Sequence, residues 1–163
     1  MHVERQKLVF MGLVALDEIA DHCIHQPWHR AFTLRVTLAM LYAFSDGDRA
    51  PFDDLWRACA MSNGGQSEET LRKVERSSKV RGAFIRICRS LGVKQTRSFS
   101  RELSAARREP DSYQLAWEEH FPVIHDANDA ERARFAEMLR LTGKATEEEK
   151  ERQRRARECP LRG

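Results

Sequence analysis

Three observations predict an all-α fold. Apolar residues recur at three- and four-residue spacing along most of the chain, and no segment alternates apolar and polar residues as a half-buried strand would. Glycine and proline are few, eight and five, and fall mostly between the periodic segments. A length of 163 residues suits one domain with a real core, and 41% hydrophobic with 33% charged residues suits a globular body under a highly charged surface. The expectation is a bundle of about six helices around a hydrophobic N-terminal helical hairpin. Residues 1–145 form the domain, and 146–163 form a charged tail that is disordered or frayed.

The first helix runs from Val3 to about His25. Leu8, Met11, Ala15, Ile19 and His22 share one face, and Leu13, Val14 and Leu16 make it apolar nearly all round, as a central helix must be. Pro27 breaks this run and suits the first turn of a second helix, about Trp28–Phe44, with Leu34, Leu38 and Leu41 on one face. Neither apolar run reaches the roughly 18–20 uncharged residues that span a bilayer: Leu8–Leu16 is too short, and Ala31–Phe44 contains Arg35. No membrane partner is expected.

Ser45-Asp-Gly-Asp is a turn, and Pro51 opens a short helix through Met61 carrying Phe52, Leu55, Trp56 and Cys59. The paired glycines of Ser62–Gln66 make a flexible linker, after which Ser67 offers an N-cap. The next helix, Glu68 to about Leu91, places Val74, Val80, Phe84, Ile87, Cys88 and Leu91 on an apolar face and Arg72, Arg76, Lys79 and Arg86 opposite. Gly82 and Ser77-Ser78 weaken its middle, which leaves open a bend dividing it in two; Gly92 ends it. A basic loop, Lys94–Ser100, leads to a short helix capped by Ser100 and running to Arg108. Ser112–Phe121 and Asp129–Leu141 read as further helices, with Phe135, Met138 and Leu139 inward and Gly143 as a C-cap. From Thr146 onward Glu148–Arg152 and Glu151–Arg155 pairs support a solvated helix, but no apolar face anchors it.

The charge distribution carries the functional signal. Residues 72–108 hold twelve basic side chains against Glu75 and Glu102, a net of +10 in a chain whose formal charge is +3. The flanks are therefore acidic, −4 over residues 1–71 and −3 over 109–163. A solvated outer face is the ordinary meaning of a basic helix, but the near absence of balancing acids favours a polyanionic partner. Arginine outnumbers lysine in this segment by nine to three, which suits bidentate phosphate contact. The expected function is non-enzymatic nucleic-acid binding or association with a ribonucleoprotein. Arg72, Arg76, Lys79, Arg86, Arg97, Arg101, Arg107 and Arg108 would supply the contacts to a DNA or RNA backbone. The alternative is an adaptor or inhibitor whose basic face docks an acidic protein surface. Only Phe84 and Phe99 interleave the bases, too few for a single-strand stacking platform.

A helix-turn-helix fits poorly. The linker after Met61 exceeds the usual turn, and Glu68 and Glu69 would face DNA at the end that reads bases. His22, His25 and His29 with Asp21 and Cys23 form the nearest thing to a metal cluster, but Pro27 interrupts the helix and core packing of these histidines is preferred, so no metal is expected. His125-Asp126 is weaker still as a metal motif. No phosphate-cradling glycine loop, nucleophile elbow or carboxylate pair is present, so no catalytic site and no cofactor are expected. The acidic patch of Trp117-Glu118-Glu119, Asp126, Asp129 and Glu131 allows head-to-tail self-association against the basic helix. Four scattered cysteines without a CxxC pair read as reduced, buried thiols in a cytoplasmic protein.

Overall fold

The computed structural model describes residues 5–25, 30–59, 69–106, 108 and 127–158. Six helices hold most of these residues, and none of them lies in a strand: α1 (Arg5–His25), α2 (Ala31–Phe44), α3 (Ala50–Cys59), α4 (Glu69–Ser90), α5 (Arg97–Ala106) and α6 (Asp129–Glu158). The predicted all-α bundle is the fold. No helix among the described residues is long and apolar enough to cross a membrane. The expected helix over 112–121, the 62–66 linker and the Ser67 cap lie outside the described residues.

α1 and α2 are central because they are apolar on nearly every side. Leu13, Ala15 and Leu16 on α1, and Leu38, Ala39 and Leu41 on α2, have no solvent exposure. The two helices touch, but α2 packs most extensively on α6, and α1 also packs on α4 and α3. α3 in turn lies chiefly against α4. α2 starts at Ala31, not at the expected Trp28, because Arg30 holds φ 55 in the left-handed region and no right-handed helix can run through it.

Local chemistry sets the other boundaries. Asp48 Oδ1 accepts the Ala50 amide at 3.1 Å to start α3, and Arg49 pairs with Asp53 at 2.9 Å one turn on. α4 runs unbroken through Ser77-Ser78 and Gly82, so it is one helix and not two. It ends as expected at Gly92 (φ 73): the Val93 amide reaches the Cys88 carbonyl at 2.9 Å and the Gly92 amide reaches Arg89 at 3.1 Å. This double closure is a Schellman motif, which requires a left-handed residue at that position. α5 begins at Arg97, three residues before the helix expected from Ser100, because Thr96 Oγ1 accepts the Phe99 amide at 3.1 Å.

α6 opens on a capping box. Asn128 Oδ1 accepts the Glu131 amide at 2.8 Å, and Glu131 Oε1 accepts the Asn128 amide at 3.2 Å. Phe135, Met138 and Leu139 pack on the core as predicted. Gly143 does not cap the helix; it is an internal position against which the Arg35 guanidinium lies. Arg35 donates to Leu139 O at 2.8 Å and Thr142 Oγ1 at 3.1 Å, and a Cβ at 143 would come within 2.5 Å of Arg35 Nη2. The helix then continues to Glu158, with Arg155–Glu151 at 3.2 Å and Arg154 between Glu151 and Glu158. The expected boundary at 145 is thus not a break in secondary structure.

Polar contacts fasten α6 to its neighbours. Arg5 of α1 pairs with Glu131 and lies over the Phe44 ring at 4.2 Å. Tyr42 donates to Glu137 at 3.3 Å, and Arg49 also pairs with Glu137. Arg134 donates to the Tyr42 and Ala43 carbonyls at 3.2 and 2.7 Å.

Burial acts to raise the Glu131 carboxyl, but the Arg5 hydrogen bond, the Asn128 amide and the Arg5 and Arg134 charges outweigh it and hold it below the usual carboxylate range. A depressed carboxyl contributes stability that is present above its unfolded value, about 4.3, and lost as pH falls through the folded one. Thermal melts from pH 7 to pH 3 should therefore show a steep loss below about pH 4.5, and Glu131→Gln should flatten it while costing about 0.5–2 kcal/mol at neutral pH. An identical acid profile for the variant would exclude Glu131 as a source of the loss. Truncation after Lys144 should lower the melting temperature by less than about 5 °C, on the order of 1 kcal/mol for a domain this size. A larger drop would mean that 145–163 packs on the body.

Candidate nucleic-acid interface

α4 sorts its side chains into an inner stripe and an outer surface. Val80, Ala83, Phe84, Ile87 and Cys88 are buried in the common core. Arg76 belongs to that stripe and not to the basic face assigned to it from the sequence. It is 1% exposed, and its Nη1 donates to the Ile24 carbonyl at 2.7 Å and the Cys23 carbonyl at 3.4 Å, at the end of α1. The cause is spacing: Arg76, Val80, Ala83 and Ile87 stand at i, i+4, i+7 and i+11, one helix face. Val74, expected on the apolar face, is instead 63% exposed. Six residues before Val80, it stands about 120° around the helix from that residue.

The other predicted contacts are distributed as follows. Lys79 and Arg86 are exposed on α4, Arg97 and Arg101 are exposed on α5, and Arg108 is exposed just past its end. Arg97 and Arg101, four residues apart, lie one above the other on their helix. The side chains of Arg72 and Arg107 lie outside what is described. Three bases not among the predicted contacts, Arg81, Arg89 and Lys94, are exposed as well. Arg86 pairs with Asp54 of α3 at 2.9 Å.

Seven exposed cations of the basic segment therefore stand without an ion pair to any described residue: Lys79, Arg81, Arg89, Lys94, Arg97, Arg101 and Arg108. Outside it Lys7, Arg140 and Lys144 are exposed in the same way, while most described arginines are used differently. Arg5, Arg49, Arg57, Arg154 and Arg155 each meet a carboxylate, and Arg35 and Arg134 hold backbone carbonyls. Both aromatic rings of the basic segment, Phe84 and Phe99, are buried, and Phe99 meets Phe10 edge-on at 6.2 Å between ring centres. The outer surface thus offers charge and hydrogen-bond donors but no described ring on which a base can stack.

A cavity of about 360 Å³ separates α4 from α5 and α1; Arg81 lines it together with Asp17 and Asp21. Two acids at one border of the basic surface limit it on the α1 side.

Among the described residues the histidine cluster does not assemble. His22 and His25 are exposed, not packed in the core as expected, and His22 Nε2 lies 4.0 Å from Glu18. His29, His125 and Asp126 lie outside the described residues, and no group of three or more His, Cys, Asp or Glu among the described residues could hold a metal. Cys23, Cys59 and Cys88 are buried and in no disulfide, as expected. The neighbouring Cys23 thiol and burial push the Cys59 thiol well up, and burial pushes Cys88 up to about 11. Both stay protonated at neutral pH, which withholds the thiolate that nucleophilic or metal chemistry needs. Of the acidic patch, Asp129 is exposed, while Glu131 is buried in the α6 cap.

Compared with protein-family models, curated proteins and solved structures, the chain matches none.

The two roles of the basic residues separate by mutation. Arg76→Met retains the apolar stem but leaves the α1 carbonyls without their charged donor, so urea unfolding should show a loss of about 2 kcal/mol. Lys79→Met, on the exposed side of the same helix, should stay within about 0.5 kcal/mol of the parent. Equal stability of the two variants would mean that Arg76 is solvated.

Proposed function

We propose that the protein binds the phosphate backbone of a nucleic acid through the outer surfaces of α4 and α5. The observation that carries this reading is the set of seven exposed cations without a counter-ion among the described residues. Leaving so many like charges together destabilises a folded chain through self-repulsion, and a polyanion relieves it. Condensed counter-ions released from the nucleic acid add to the driving force. The absence of an exposed ring among the described residues of the segment favours backbone contact over base stacking, hence a duplex over a single strand. Contacts to phosphate carry no sequence information, and binding is expected to be indifferent to sequence.

The same observation supports a second reading, docking on an acidic protein surface, because a row of guanidinium groups recognises carboxylates as well as phosphates. Anisotropy titration of a 20-base-pair duplex, as DNA and as RNA, separates the two. The parent protein should bind at low salt with log affinity falling by roughly 0.9 per phosphate contacted for each unit of log salt. Arg81→Glu, Arg89→Glu and Arg97→Glu combined should weaken binding by more than about a hundredfold and make that slope shallower by roughly 2–3, with unchanged helicity. No binding by the parent at micromolar protein would reject the nucleic-acid reading and favour the acidic protein.

A further inference from the structure

The flank of α4 turned toward α3 holds a groove of about 580 Å³, lined among others by Asp54, Arg57, Lys79, Gly82 and Arg86. Two of its cations are arranged in parallel. Arg57 Nε is hydrogen-bonded to the Asp53 carbonyl at 3.4 Å and Arg86 Nε to the Gly82 carbonyl at 3.4 Å, each four residues back on its own helix. Their outer nitrogens then converge on Asp54, with Arg57 Nη2 at 3.3 Å from Oδ1 and Arg86 Nη1 at 2.9 Å from Oδ2. One carboxylate thus holds two guanidinium groups from two helices, one on each oxygen. Lys79, seven residues before Arg86 on the same helix face, lines the groove with no ion pair to a described residue. Gly82 borders open space, since a Cβ there would meet nothing within 4 Å. Three cations against one anion leave the groove at a net +2.

We propose that this α3–α4 groove is a phosphate-binding notch in which Asp54 occupies the place of the ligand. The proposal rests on the reading of the α4–α5 surface and adds to it Arg57, a residue from outside the basic segment. The geometry fits an oxyanion for three reasons. Two forks from different helices are aimed at a common point, so a single oxyanion can meet both. Each guanidinium has further N–H groups beyond the one turned to Asp54. Lys79 supplies a third donor, which a two-oxygen carboxylate leaves unused and a phosphate would fill. Asp54 has two opposed effects: it holds the forks in place, and it repels the incoming anion. Removing its charge while keeping its shape should therefore tighten binding.

The test uses two probes, inorganic pyrophosphate and the 20-base-pair duplex, with four proteins: the parent, Asp54→Asn, Arg57→Ala and Asp48→Asn. Asp48 is an exposed acid outside the groove and serves as the control for bulk charge. Pyrophosphate should shift the Nε–Hε resonances of Arg57 and Arg86 in the parent. Asp54→Asn should bind both probes roughly three- to tenfold more tightly, and Arg57→Ala should weaken both by a similar factor. Asp48→Asn should change neither by as much as twofold. Duplex binding that is equal in the parent, Asp54→Asn and Arg57→Ala would overturn the notch and leave the broader surface standing. Equal tightening by Asp48→Asn and Asp54→Asn would reduce the effect to net charge and overturn it too. Resonances that shift with pyrophosphate while the parent fails to bind duplex would keep the notch and reject the nucleic-acid surface. Unmoved resonances would overturn the notch whatever the duplex does.

Discussion

Helix ends closed by arginines from other helices hold this bundle together. An α-helix leaves its last carbonyls without partners, and when that end is buried the loss is comparable to a broken hydrogen bond for each. α1 ends inside the protein, where Arg76 of α4 takes the carbonyls of Cys23 and Ile24. α2 ends beside α6, where Arg134 takes those of Tyr42 and Ala43, and Ser45 adds its own hydroxyl at 2.7 Å to Tyr42. The positive charge also opposes the negative end of each helix dipole. Docking α4 and α6 thus contributes to closing the ends of α1 and α2.

This arrangement explains where the sequence was readable. Helix identity followed from periodicity, and the Gly92 terminus followed from a residue that tolerates positive φ. The failures cluster on arginine. Arg76 sits in the register of Val80, Ala83 and Ile87, a signal present in the chain but overridden by the habit of placing charge outside. Its partners, backbone carbonyls more than fifty residues away, leave no trace in composition. Gly143 looked like a terminator because a glycine near the end of an apolar stripe usually is one. Only the approach of Arg35, more than a hundred residues distant, shows why the helix passes through it. Thr96 and Asn128 were legible in principle, each a capping residue three before the amide it serves. The basic surface itself was legible as a charge count, whereas its division into buried and exposed cations required the fold.

Arginine thus serves two opposite ends in one chain. Inside or at helix junctions it is held by carbonyls, as Arg76, Arg35 and Arg134 are, or by carboxylates, as Arg5 and Arg49 are. Over α4 and α5 it is left to solvent, and its field extends to about a Debye length, about 8–10 Å at physiological salt. Acidic flanks offset the basic segment along the chain and keep the formal charge at +3.

The seat of Arg35 against Gly143 has a mechanical consequence. α6 is 30 residues long, roughly 45 Å, and the last fifteen residues after Gly143 account for about half of that. The guanidinium as placed lies where a Cβ at 143 would be, so the seat ties α6 to α2 at this point through the Leu139 and Thr142 hydrogen bonds. The far half is then a lever whose azimuth is set at its fulcrum. One residue inserted between Gly143 and Glu151 would turn the Glu151–Arg154–Glu158 cluster by about 100° around the axis and advance it by about 1.5 Å. The core would be untouched, but whatever the lever presents would face another direction.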